Sequence, residues 1–293
     1  MQYTVIIPTL NAGEHIGTLI GALQAQTVKP VEIIVIDSQS EDGTVALAKN
    51  FDGVRVLTVM RDAFDHGGTR DEAMRASETP FAVLMTQDAL PADDRCMAAL
   101  LEPFRDELVA AVCARQVAGS DATARESAIR RFRYPDESRK WTCEDMSVLG
   151  IRSFLLSDSC AAYRRSAYES VGGFTHPIET NEDMLIAADF LRAGYALVYQ
   201  AEARVLHAHN YSLLQEYRRN RKIGAFLVRY SERFQGANET REGMKLVRFV
   251  TGELAREGRL GEVIPFWANC GARLLGNRMG RRLELRTLKR EHG

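Results

Sequence analysis

The chain has 293 residues, 45% of them hydrophobic, enough for one large α/β domain with an appended element or for two modest domains. Its 38 basic and 39 acidic side chains leave a formal net charge of -1, so no global field draws in a nucleic acid and any polyanion must be held locally. Five scattered cysteines, Cys96, Cys113, Cys143, Cys160 and Cys270, lack the paired short spacing of a zinc or redox motif, and read as reduced thiols of a cytoplasmic protein.

The N-terminal segment has no basic run ahead of a long apolar one, and no stretch approaches the roughly 20 apolar residues of a membrane span, so a soluble or at most peripheral protein is expected. Residues 3–7 form a β-branched run closed by Pro8, after which Ile16, Leu19, Ile20 and Leu23 recur at helical spacing. Residues 32–36 predict a second buried strand ending at Asp37, and 44–50 a short helix. A third strand over 54–60, a helix over 68–77 and a fourth strand over 81–85 follow, the last delivering Asp88 just past its end. This alternation predicts a mostly parallel sheet flanked by helices, whose ligands bind outside the carboxyl ends of the strands.

The pattern weakens over 119–150, where Ser120, Asp121, Arg125 and Tyr134-Pro135-Asp136-Glu137 suggest a variable loop with short helices, the sort of segment that selects substrates. Residues 154–164 read as a strand, 182–193 as a helix, and 196–206 as a strand running into His207-Ala208-His209. Everything after Tyr211 reads as helical. A nucleotide-binding and catalytic domain over 1–210 is therefore expected, with a helical extension over 211–293.

Four groups of residues can carry chemistry. Pro8-Thr9-Leu10-Asn11, with Asp37-Ser38-Gln39-Ser40 and Asp42-Gly43-Thr44, sets a carboxylate and hydroxyls at strand ends, suited to a pyrimidine edge or a ribose, or simply to turning and capping the next helix. No G-x-G-x-x-G follows the first strand, which argues against a dinucleotide-dependent dehydrogenase. In His66-Gly67-Gly68-Thr69-Arg70 the glycines would let backbone approach a ligand and Arg70 offers a planar fork for phosphate, unless it pairs with Asp71 or Glu72 on an exposed face. Asp88 can hold Mg²⁺ or Mn²⁺ against a diphosphate. Asn181-Glu182-Asp183 opens a helix, where the acids either offset the helix dipole or supply a general base. His207 and His209 are read as alternating along the strand end, so that one of them at most faces the same ion as Asp88.

In this order and spacing, Val5 to Asn11, the Asp37 to Thr44 motifs, Gly172-Gly173-Phe174, Glu182-Asp183 and the late His207 resemble family 2 glycosyltransferases of the GT-A fold over roughly residues 3 to 210. Within that family the chain looks most like bacterial rhamnosyltransferases that use dTDP-L-rhamnose, through His66 to Arg70, Thr86-Gln87-Asp88-Ala89 and His207-Ala208-His209-Asn210-Tyr211. The resemblance implies that Pro8, Asn11, Asp37 and Ser40 line the nucleoside pocket, with Arg70 and Gln87 helping to hold the donor. It implies that Asp88 and His207 hold a divalent ion on the diphosphate, and that Asp183 deprotonates the acceptor hydroxyl. One departure stands out: the family's usual D-x-D is here Thr86-Gln87-Asp88, which leaves a single carboxylate. His209 is the alternative ligand.

With one candidate base and no second nucleophilic carboxylate, a single inverting displacement is expected, onto a saccharide or lipid-linked saccharide. A UDP-sugar donor, or an inert nucleotide-sugar-binding protein, are the rival readings. The last helix carries Arg273, Arg278, Arg281, Arg282, Arg286, Lys289 and Arg290 among leucines, which suits an anionic membrane surface, a solvated helix or an oligomer contact.

Overall fold

A computed structural model describes residues 1–291 except 121, 210 and 235–239; Asp121 and Asn210, both named above, thus lie outside the described residues. The first half of the sheet alternates strand and helix: β1 (Tyr3–Thr9), α1 (Ile16–Gln24), β2 (Glu32–Asp37), α2 (Thr44–Ala48), β3 (Val54–Thr58), α3 (His66–Ala76) and β4 (Phe81–Met85). There follow β5 (Leu90–Pro91), α4 (Cys96–Leu101), β6 (Val109–Val117), α5 (Ala124–Arg133), β7 (Arg139–Trp141) and α6 (Met146–Leu149). Then come β8 (Cys160–Arg164), α7 (Arg165–Ser170), α8 (Glu182–Arg192) and β9 (Ala196–Leu206). Three helices close the chain: α9 (Leu213–Arg229), α10 (Thr240–Arg256) and α11 (Val263–Glu291).

The strands join one sheet in the order β3-β2-β1-β4-β8-β6-β9-β5, with β7 pairing β9. Its first four strands are parallel, and β6 and β9 are parallel to each other; β8 runs antiparallel between β4 and β6. The predicted α/β class with a mostly parallel sheet is therefore what forms. Alternation along β1 explains how one strand serves two layers: Tyr3, Val5 and Ile7 face the core under α1 and α4, while Ile6 faces the core under α3 and α8. A third, smaller core joins Ala128 and Ile129 of α5 to Leu246, Val250 and Leu254 of α10 and Phe266 of α11.

Several boundaries differ from expectation: α2 ends at Ala48 and β3 at Thr58, each two residues early. The predicted strand over 154–164 is a strand only from Cys160; a 3-10 turn spans Gly150–Phe154, and Asp158 and Ser159 form a turn between them. Helix α3 begins at His66, earlier than expected, because the Asp65 carboxylate accepts from Gly67 N and Gly68 N and so caps the first turn. The long helices α9 and α11 meet through Gly224, Gly276 and Gly280. At Gly280 a Cβ would stand 1.9 Å from the carbonyl oxygen of Arg221, so the two backbones touch directly. Among the described residues no helix is long and apolar enough to cross a membrane, and all five cysteines are free.

Candidate functional site

The carboxyl ends of β1, β2 and β4 lie side by side, and they bring together Pro8, Asn11, Asp37, Ser40 and Gln87. Pro8 is half-buried within β1, paired with Ile36. Asp37 is buried at the end of β2, where its Oδ1 accepts from Thr9 Oγ1 (2.9 Å) and Ser40 Oγ (2.6 Å) and its Oδ2 from Ser40 N (2.8 Å). Ser40 Oγ in turn accepts from Asn11 N (2.8 Å), and Asn11 Oδ1 accepts from Glu41 N (3.0 Å). Gln87 ties the loop after β4 to the loop after β1, accepting from Leu10 N (2.8 Å) and donating to Leu10 O (3.2 Å). Asn11 and Gln39 hold left-handed backbone at φ 51 and φ 59, conformations that cost a side-chain-bearing residue energy and that this bonding sustains. The arrangement is a fixed polar rim at the sheet edge.

Next to it stands a cluster of potential metal ligands. Asp88 Oδ1 lies 3.4 Å from His207 Nε2 and Asp88 Oδ2 lies 3.6 Å from His209 Nε2, with the three ligand atoms within 4.8 Å of one another. Both imidazoles therefore face Asp88, correcting the expectation that only one could. Residues two apart on a strand share a face, and β9 has in any case ended at Leu206 before either histidine. Burial would raise the Asp88 carboxyl, but the hydrogen bond and charge of His207, with His209, hold it well below the usual carboxylate range. His209 is pushed down to about 4 by burial and by the neighbouring His207.

The His207 tautomer follows from its partners. Gln116 Oε1 accepts from Arg130, which can only donate, and lies 2.9 Å from His207 Nδ1, while Gln116 Nε2 donates to Ser157 Oγ (2.8 Å). Nδ1 then carries a hydrogen, and Nε2 is the ring atom turned toward the carboxylate oxygen. One carboxylate with two imidazoles is a donor set that suits a divalent ion. The residues present thus fit a metal, with His209 as a third potential ligand beside Asp88 and His207.

A second polar set begins beside Ser157. The buried Asp158 accepts from Tyr163 OH (2.5 Å) and lies 3.4 Å from Arg70 Nε; Arg70 Nη1 lies 3.1 Å from Glu182 Oε1. Arg70 is 5% exposed and also donates to His66 O, so it is neither an exposed partner of Asp71 or Glu72 nor a side chain reaching into open cleft. Asp71 instead pairs with Arg75 and accepts from Tyr168 OH. Asp183, half-buried beside Glu182, accepts from Met184 N (2.8 Å). Burial first, then the neighbouring Glu182 and Asp158, raise the Asp183 carboxyl well above its ordinary value, against the pull of Arg70. Asp158 is pushed up to about 7 by burial and Glu182.

Two polar sets thus meet at the turn holding Ser157 and Asp158: Asp88, His207, Gln116 and Ser157 on the side of the potential metal ligands, and Asp158, Arg70 and Glu182 at the foot of α8. Met85 at the end of β4 pairs with Cys160 at the start of β8, and Gln116 and His207 stand at the ends of β6 and β9, so these groups share one sheet edge. Gln116 and Asp158 are absent from the sequence reading. The one available signal for Asp158 is the polar triplet Ser157-Asp158-Ser159 inside an otherwise apolar run, which marks a turn. The paired glycines also do other work than expected: a Cβ at Gly67 would meet Thr175 O at 2.2 Å and one at Gly68 would meet Asp65 Oδ2 at 2.4 Å, so they make room for protein, not ligand.

The sequence model of the family described as "Glycosyl transferase family 2" matches residues 4–172. The chain is 39% identical over 227 residues to the O-antigen chain rhamnosyltransferase RfbN of Salmonella typhimurium, covering 77% of this chain and 72% of that protein. Identity to WbaN of Salmonella anatum, also described as an O-antigen chain rhamnosyltransferase, is 39% over the same shares. Among solved structures, the mannosyltransferase PcManGT from Pyrobaculum calidifontis, in complex with GDP-Man and Mn2+, superposes with a TM-score of 0.67 at 17% identity, covering 95% of this chain and 86% of that one. S. aureus TarS 1-349 in complex with UDP-GlcNAc superposes with a TM-score of 0.59 at 14% identity, covering 99% and 92%. These two likenesses speak for the GT-A fold. Matched over more than half of its length by the family's own sequence pattern, and over most of it by RfbN and WbaN, the chain belongs to glycosyltransferase family 2.

Proposed function

We propose that this enzyme transfers L-rhamnose from dTDP-L-rhamnose to a hydroxyl of a saccharide or lipid-linked saccharide during cell-surface polysaccharide synthesis, with inversion at the anomeric carbon. The observation that carries the reading is the gathering, along one sheet edge, of the Asp88, His207 and His209 cluster and the Asp158, Arg70 and Glu182 set beside Asp183, which adjoin at the turn of Ser157 and Asp158. Identity of 39% to proteins described as O-antigen chain rhamnosyltransferases supports the sugar.

In this reading Pro8, Asn11, Asp37 and Ser40 seat the nucleoside, and Gln87 holds the two loops around it. Asp88 and His207, with His209, would hold a divalent ion, Mg²⁺ or Mn²⁺, which when bound offsets the charge developing on the leaving diphosphate. The acceptor oxygen forms its bond to the anomeric carbon as the bond to the diphosphate oxygen breaks, the electron pair departing with dTDP. Asp183 takes the acceptor proton. Its raised affinity for protons suits that role, since a base of higher pKa abstracts a hydroxyl proton more readily. Arg70 acts from beneath: its two ion pairs fix Asp158 and Glu182, and with them the first turn of α8 that presents Asp183. A donor with a β-linked sugar gives an α-linked product.

The test is a transfer assay with dTDP-L-rhamnose, UDP-hexoses and GDP-mannose against a panel of oligosaccharide and lipid-linked acceptors, with and without Mn²⁺. Metal-dependent transfer from dTDP-L-rhamnose alone is expected. Transfer from a UDP-sugar in preference would overturn the donor, and no transfer or donor hydrolysis under any condition would overturn the catalytic reading.

A further inference from the structure

We infer that the outward face of α11 is a docking surface for an anionic lipid bilayer. Ile264, Trp267 and Leu275 are 75%, 52% and 62% exposed, and Arg278, Arg282, Arg286 and Lys289 continue the same row in steps of three and four. At 3.6 residues per turn these side chains fall within one arc of about 100°. That arc holds no carboxylate. The two acids of α11, Glu284 and Glu291, both lie on the α9 side, where Arg229 pairs with them at 2.5 and 3.6 Å. The opposite strip, Gly276 and Gly280, is pressed against Tyr217 and Arg221 of α9 and is unavailable to any partner.

A face that is apolar toward its N-terminal half and cationic toward its C-terminal half, without a single anion, matches a surface of acyl chains beneath anionic headgroups. A second copy of this chain matches it poorly, because a two-fold contact through this face would set the arginines either against themselves or, with the helices antiparallel, against the apolar half. Trp267, whose indole N–H donates to Thr251 Oγ1 (3.1 Å), has the amphipathic character of a residue at the headgroup boundary. Docking here needs neither the donor nor the metal, so it stands or falls apart from the proposed reaction.

The test uses the full chain with vesicles of phosphatidylglycerol or of phosphatidylcholine, read by flotation and by tryptophan emission. The protein floats with phosphatidylglycerol vesicles at low salt and not with phosphatidylcholine. Its emission shifts to the blue through Trp267, because Trp141 is already buried in the core, and W267F loses the shift. The triple variant R278Q/R282Q/R286Q, with an unchanged circular dichroism spectrum, partitions on the order of 100-fold more weakly. Failure to float with phosphatidylglycerol vesicles, or equal partition of the triple variant, overturns the inference. So does a dimer in sedimentation equilibrium that the triple variant dissolves while vesicle binding is unaffected, which assigns the face to a second copy.

Discussion

At the scale of single residues, the chemistry depends on how neighbours set protons and lone pairs. Gln116 shows this most clearly: by fixing the Nδ1–H of His207 it leaves Nε2 as the atom that meets Asp88. His209 would supply the third ligand atom to a divalent ion held there. Both Gln116→Met and His209→Ala are therefore expected to weaken Mn²⁺ binding by about 10- to 100-fold, measured by titration calorimetry without substrate. Unchanged affinity in His209→Ala would reduce the site to Asp88 and His207. The histidine pair was legible in the sequence as chemistry but not as geometry, because the strand ends before it and the parity of the two positions was misassigned. Asp158 is legible only as one residue of a polar turn, not as an ion-pair partner. Its partners Arg70 and Glu182 come from distant segments, and pairing across such separations leaves no local pattern to read.

Among the elements, the strands were the easiest to read. β1, β2 and β4 are runs of buried β-branched and aliphatic residues ending in a polar residue, so both their extent and the edge they present follow from composition. β8 was overextended because apolar residues on either side of a turn look like one strand when only hydropathy is counted. The hairpin of α9 and α11 depends on glycines whose purpose appears only when the helices meet. Gly280→Ala should force the backbones apart and cost about 1–3 kcal/mol, whereas Gly271→Ala, with no atom within 4 Å of the added Cβ, should gain about 0.5–1 kcal/mol from helix propensity. Thermal melts of the two variants would show opposite shifts; similar shifts would mean that the close approach of α9 and α11 does not determine stability.

Over the whole molecule, the sheet acts as a collecting edge. Its two parallel sets, joined through antiparallel β8, point the ends of β1, β2, β4, β6 and β9 the same way, and α8 adds its amino terminus there. The open groove lined by Thr4, Glu32, Arg55 and Thr79 lies at the opposite, amino ends of the strands and takes no part in this gathering. What the sheet collects is a metal-ligand cluster and a carboxyl with raised proton affinity, and the central claim is that they act on one displacement with Asp183 as the base. That claim is tested most directly by the pH dependence of kcat/KM for rhamnosyl transfer in the native enzyme and in Asp183→Asn, with dTDP binding measured alongside. The native rate should rise with pH along a limb set well above the ordinary carboxylate range, because Asp183 must lose its proton to act. Asp183→Asn should bind dTDP normally, lose that limb and turn over about 100- to 10,000-fold more slowly. Near-native turnover of Asp183→Asn with the limb intact would contradict the account.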